Sequence, residues 1–305
     1  SKIEALLDES KQKLEEAARE EKMKQAKSGS VGMARRTKVR SAVYTILAVI
    51  ICFIMLIPVY LLAKTSLSTS EEVLVQHPTF LIHQITFEHW IKIFNSGKLW
   101  PPLLRSVITA SATTIIALII VVPACYVASH FSKKKQYMFI MTLFFTRMIP
   151  NVAVALPISV YFIKFGLLDT IPGLVLANLI CQIPFMAWML VSTFTAIPYD
   201  LEEAAMIDGA SKLRVVWSVV LPLAKQGIAV SAMYVFLNAW NEFTYALYLS
   251  NNTKTLPLQI YYYVNRGGFF EQGTYSTILA IPVIIITFIL QKYLKSDYLA
   301  GAVKG

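Results

Sequence analysis

The chain has 305 residues, 56% of them hydrophobic and 15% charged, with a formal net charge of +10 and a mean hydropathy of +0.57. Soluble domains run nearer ~45–50% apolar and ~25% charged, so this composition excludes an ordinary water-soluble enzyme and belongs in a bilayer. The basic excess does not indicate nucleic acid, because the cations cluster beside apolar runs instead of on one folded face, and anionic lipid headgroups account for them.

Residues 1–40 form a charged tail. Ser1 to Ser28 is rich in Glu, Lys, Ala and Gln, with Ile3, Leu6, Leu7 and Leu14 near helical spacing, and reads as an exposed helix followed by a Gly/Ser linker. It is taken as a solvated extension in preference to a partner-binding helix. The transmembrane domain then covers 41–305. Six apolar windows are long enough to cross ~30 Å of hydrocarbon: 43–62, 104–127, 138–163, 172–195, 226–249 and 276–294. The first follows some forty polar residues and is long enough to span, so it reads as a signal anchor and not a cleaved leader.

Orientation follows from the cations. Arg35, Arg36, Lys38 and Arg40 precede the first span, Lys133, Lys134 and Lys135 follow the second, and Lys292 and Lys295 end the sixth. These ends are predicted to be cytoplasmic under the positive-inside rule, with both termini inside. In the long outer loop, Phe87, Trp90, Ile91 and Phe94 have the spacing of an amphipathic interfacial helix. Cys52, Cys125 and Cys181 fall inside spans without metal-ligand or disulfide spacing and read as small buried apolar residues.

Between the fourth and fifth spans the pattern changes. Pro198 ends a span, Asp200 is placed to cap a helix starting at Leu201, and Glu203 stands where a capping box needs its acid. Glu202, Ala204, Ala205, Met206 and Asp208 complete about two turns before Gly209, which accepts the left-handed closure. Ser211 is placed to cap a second helix carrying Leu213, Val216, Trp217 and Val220, and Leu221-Pro222 marks the turn into the next span. Such an amphipathic helix-stop-helix reads as a docking site for another protein.

The string E-A-A-x3-G-x9-V-x-L-P, from Glu203 to Pro222, resembles the cytoplasmic loop of permease subunits of binding-protein-dependent ABC importers. The resemblance implies an all-α membrane protein with the six-helix type I importer fold, and a coupling helix that sits in a cleft on an ATPase subunit. Trp240-Asn241-Glu242-Phe243 and Thr255-Leu256-Pro257-Leu258 are similar to the carbohydrate-importing branch. The ending Leu299 to Gly305 is similar to the tail of the smaller permeases of maltose-type importers, which implies an ATPase contact through Gly301, Val303 and Lys304. Leu258-Gln259 departs from the Gly that the family commonly has after this Leu-Pro pair. The partners implied are a second permease, two ATPase subunits, an external sugar-binding protein and membrane lipid. The chain carries no G-x4-G-K-[ST] phosphate loop, so no cofactor is expected here, and ATP and Mg are expected in the ATPase partners.

Polar residues inside the spans are the remaining candidates. Arg147 falls midway along the third window, where a cation costs ~2.5–3.5 kcal/mol, with Asn151 one turn on. Asn178 and Gln182 lie on the fourth span, and Asn238, Asn241 and Glu242 on the fifth. They read either as lining a translocation path, with Trp188, Tyr161, Trp240 and Tyr245 available to stack on a sugar, or as structural groups: Arg147 paired with Glu242 or a second permease, and the amides joining helices. The outer segment with Tyr262, Arg266, Gly267, Gly268, Phe269 and Phe270 has anchors suited to a binding protein, or forms an aromatic belt. The runner-up function is a stand-alone secondary transporter or channel. No intramembrane hydrolase pattern occurs.

Overall fold

The computed structural model describes residues 41–302, with side chains to 291; the tail 1–40 and the predicted contacts at Val303 and Lys304 lie outside them. The chain divides into two units, 1–60 and 61–305. In the first, residues 41–60 are the opening turns of helix α1 (Ser41–Leu67), and Phe53 and Met55 are among its exposed apolar side chains.

The second unit is all helix. After a single turn, α2 (Ser70–Val73), come α3 (Glu88–Asn95), α4 (Trp100–Ser129), α5 (Lys133–Phe145), α6 (Asn151–Lys164) and α7 (Ile171–Thr195). They are followed by α8 (Asp200–Ile207), α9 (Lys212–Val215), α10 (Leu221–Trp240), α11 (Thr244–Leu249), α12 (Leu256–Val264) and α13 (Phe269–Ala302). Among the described residues five helices are long and apolar enough to cross a membrane, or six if the bent pair α5–α6 counts as one span. The predicted interfacial helix is α3.

Helix α7 is the hub, with 67% of its most apolar window buried against 28% for α4. It can be central because α4 presents a stripe of small residues, with Ser106, Ala110, Thr113, Ala117 and Ala128 buried, and small residues let membrane helices approach closely. Gly227 does the same for α10: a Cβ there would fall 2.3 Å from Thr193 Oγ1 on α7. Met186, Ala187 and Leu190 of α7 pack with Ala117 and Val121 of α4 and Val235 of α10 in the main core.

Three expectations are corrected. The third window is not one straight span: α5 and α6 meet at 83°, through a short 3₁₀ turn at Thr146–Met148. Pro150 has no N–H and restricts Ile149 to an extended conformation (φ −88°, ψ 127°), so the helical ladder cannot continue. Arg147 therefore stands at the vertex, and Asn151 opens a new helix instead of lying one turn further on the same face. The fifth span also shifts, running continuously over Lys212–Trp240 and stopping before the predicted end, with α11 a separate short helix. Pro222 makes no turn within it. It is the second residue of α10, preceded by a π-helical turn at Val216–Val220, a local widening of the kind that accommodates an inserted residue in a continuous helix.

Candidate functional site: the α8 docking element and the polar ties at the two ends of α4

Helix α8 has two distinct sides. Glu202 is buried at 6%, and Ala205 and Met206 pack against the main core, whereas Leu201, Glu203, Ala204, Ile207 and Asp208 are exposed. Ile207 is 86% exposed. Leu201, Ala204 and Ile207 recur three apart, so they form one face, with acidic Asp200 and Glu203 at its start. A slim, partly apolar ridge with carboxylates at one end is suited to enter a groove on another protein.

The closure of α8 is as expected. Gly209 has φ +88°, and the amides of Gly209 and Ala210 donate to the carbonyls of Met206 and Ala205 at 3.0 and 3.1 Å, the paired arrangement of a Schellman motif. Ser211 caps α9 by accepting from the Arg214 amide at 3.4 Å. The start of α8 is corrected: Tyr199 takes the cap position without a side-chain bond, and Asp200 is already helical. Pro198 and Tyr199 carbonyls accept the amides of Leu201, Glu202 and Glu203. That backbone turn replaces the predicted capping box and leaves both acids pointing into solvent.

Sequence reading missed what holds the inner side. The Tyr126 hydroxyl, near the end of α4, donates to Glu202 Oε2 at 2.7 Å, and His130 Nε2 lies 3.3 Å from Glu202 Oε1. His130 stands edge-on to Tyr126 and Tyr199, with centroids 4.8 and 5.5 Å apart. A cavity of about 510 Å³ borders this cluster, lined by Ser129, His130, Phe194, Pro198, Tyr199 and Glu202. The one available signal was the doublet Glu202-Glu203, whose two members face opposite ways.

At the far end of α4, Arg105 Nη2 donates to the Asp169 carbonyl at 2.9 Å and lies 3.9 Å from its carboxylate. The carboxylate of Asp169 also accepts the amides of Asn252 and Thr253, each at 3.1 Å. Burial pushes Asp169 upward, but the Thr253 and Asn252 hydrogen bonds and the Arg105 charge outweigh it and hold the carboxyl below its ordinary 3.8. Asp169 adopts φ +60°, which Asp tolerates better than most residues. Beside this site the Tyr262 ring faces two cations, Lys254 Nζ at 4.5 Å and Arg266 at 4.1 Å. Gly267 follows at φ +72°. Phe270 stacks on His89 at 4.1 Å, while Phe269 remains 57% exposed.

The intramembrane candidates do not form one group. Cys181 Sγ lies 3.3 Å from both Asn151 Oδ1 and the Tyr245 hydroxyl, a cluster beside the α5–α6 break. Asn178 and Gln182 are buried within the subunit, and their side-chain oxygens have no hydrogen-bond partner. Asn238 and Asn241 are exposed, and their side-chain amides donate to Tyr234 and Leu237 carbonyls one turn back. Glu242 forms no ion pair with Arg147. Its carboxylate instead accepts the amides of Tyr245 and Ala246 at 2.6 and 3.1 Å, capping α11. Trp240 and Tyr245 are fully buried and cannot stack on a passing ligand; Trp240 donates to the Leu279 carbonyl at 3.0 Å. Trp188 and Tyr161 remain exposed. Cys52 is exposed, unlike Cys125 and Cys181.

Several apolar spans around a buried hub, with a short, partly exposed helix between two of them, define a multi-span membrane protein. Residues 120–300 match the family model described as binding-protein-dependent transport system inner membrane component, and the chain belongs to that family. It is 31% identical to the sulfoquinovosyl glycerol transport system permease SmoH of Agrobacterium fabrum, over 82% of this chain and 89% of that one. It is 30% identical to the trehalose/maltose transport system permease MalG of Thermococcus litoralis, over 75% and 87% of the two chains. Its fold is similar to that of a bacterial ABC transporter involved in the import of the acidic polysaccharide alginate, with a TM-score of 0.70 and 24% identity over 84% of this chain and 96% of that one.

Proposed function

We propose that this subunit moves a carbohydrate, of oligosaccharide type, across the bacterial plasma membrane by alternating access. In this reading both termini and α8 are cytoplasmic. A second permease pairs with this chain, two ATPase subunits bind ATP and Mg and supply the energy, and an external binding protein delivers the sugar. The observation that carries the reading is the two-sided helix α8, glycine-closed, anchored on one side and presenting Leu201, Ala204 and Ile207 on the other. Closure of the ATPase dimer would draw α8 inward, and rigid-body motion of the attached spans would turn the pathway outward. The sugar names of SmoH and MalG support the cargo class. Arg147 and Asn151, at the break between α5 and α6, are the better candidates for lining the path. Asn178 and Gln182 would reach it only if the helices around α7 part. The Lys254–Tyr262–Arg266 stack, with Gly267, Gly268 and Phe269, is the proposed contact for the binding protein, and Gly301, Val303 and Lys304 a second one for the ATPase.

Co-expression with the neighbouring transporter subunits tests this reading. The expected result is co-purification with an ATPase, sugar uptake that requires ATP, and loss of uptake in Glu203→Ala while the spans still insert. Purification of the chain alone with ATP-independent sugar transport would overturn it.

A further inference from the structure

Helix α8 can move the spans only through what it is joined to. Along the chain it is joined to α7 by Pro198-Tyr199 and to α9 by Gly209-Ala210, and it has no covalent link near α4. The tie to α4 is polar: the buried Glu202 carboxylate takes the Tyr126 hydroxyl at 2.7 Å and lies 3.3 Å from His130. The same helix is tied at its opposite end, where Arg105 donates to the Asp169 carbonyl at 2.9 Å. One residue on, the Ser106 hydroxyl accepts the Leu256 amide at 2.8 Å. Both ties lie on one continuous helix of 30 residues, and the stretch of it from Arg105 to Tyr126 is about 32 Å at 1.5 Å per residue. Its buried small-residue stripe packs it closely against α7 along this length.

Resting on the importer reading above, we propose that Glu202 is a positioning residue that clamps α8 to the end of α4, making α4 the rod that carries the ATPase stroke to the loops around Asp169 and Leu256. Glu202 does not itself face the ATPase. It faces inward, while its neighbour Glu203 faces out. A buried carboxylate with a 2.7 Å hydroxyl donor is a stiff joint, because charge-assisted hydrogen bonds are shorter and stronger than neutral ones. Losing that donor leaves the His130 contact at 3.3 Å as the remaining polar tie of Glu202 to the end of α4, a looser joint in this proposal.

The test uses the assembled complex in lipid nanodiscs, in a Cys52→Ser background, with a cysteine reporter at exposed Leu104 near the far end of α4. Maleimide labelling of Leu104→Cys is measured with and without MgATP–vanadate trapping, alongside ATP hydrolysis. In the otherwise unaltered chain, trapping is expected to change the labelling rate. Tyr126→Phe, which keeps the ring and removes the donor, is expected to reduce that change about tenfold, with ATP hydrolysis within about twofold. Glu202→Gln, which keeps an acceptor for Tyr126, falls between the two, and Glu202→Ala matches Tyr126→Phe. A purely structural role would lower complex yield without separating hydrolysis from labelling. The proposal is overturned if Tyr126→Phe preserves the change, or if trapping produces no change in the unaltered chain. A complex that hydrolyses no MgATP would instead count against the importer reading.

Discussion

Gly209 offers a clean measure of how much the docking element depends on its closing turn. Its φ is +88°, and an added Cβ would meet nothing within 4 Å, so Gly209→Ala introduces no clash and its cost is confined to the backbone. Placing an L-residue in the left-handed region costs about 1–2 kcal/mol, which lowers the closed-to-open ratio of the turn about 5- to 30-fold. When the turn opens, the Ala210 amide loses the Ala205 carbonyl at 3.1 Å, and the last turn of α8, with Ile207, loses its direction. Gly209→Asn has a lower cost, because Asn visits this region more readily. The assay is the affinity of the purified permease pair for its ATPase subunit, by biolayer interferometry in nanodiscs. Gly209→Ala should weaken binding, by at most about 5- to 30-fold, and Gly209→Asn less, with both variants inserted as usual. Equal affinities for Gly, Asn and Ala, or Ala binding better than Asn, would refute the reasoning.

Other outcomes follow from the packing and the far-end tie. Because folding depresses the Asp169 carboxyl below 3.8, its stabilising contribution is fully present above that pH and is lost as pH falls through the folded value. Asp169→Asn should lower thermal stability by about 1–3 kcal/mol near neutrality and flatten the acid limb of a melting-temperature profile; an unchanged acid limb would count against the tie. Gly227→Ala forces a methyl into Thr193 and should cost about 1–3 kcal/mol, partly recovered by adding Thr193→Ala. Thermal unfolding in detergent measures the pair, and simple additivity of the two losses would disprove the contact. Trp240→Phe keeps the stack on Phe236 but removes the indole N–H donated to the Leu279 carbonyl, so a loss of about 0.5–1.5 kcal/mol is expected. Unchanged melting would show that this side-chain hydrogen bond contributes nothing to stability.

The sequence by itself determined the solvent, the helical class and the short helix closed at Gly209, because these rest on local physics. Some twenty apolar residues in a bilayer satisfy their backbone as helix, Gly209 takes the left-handed turn that closes α8, and Ser211 caps the next helix through the Arg214 amide three residues on. The family was legible for the same reason, since the Glu203 to Pro222 spacing is a local pattern. The tertiary structure decided which helix is central, which of two adjacent glutamates faces the body, and what the intramembrane polar groups do. Hydropathy cannot see the break at Ile149-Pro150, because both arms are apolar and the 83° bend comes from the extended backbone of Ile149 ahead of a proline that lacks an N–H. Glu202 and Glu203 are the same residue type one position apart, and a helix turns each step by about a quarter of a circle. Only the packed position of Tyr126, 76 residues earlier in the chain, makes one of them a buried tie, while the other stays exposed to solvent.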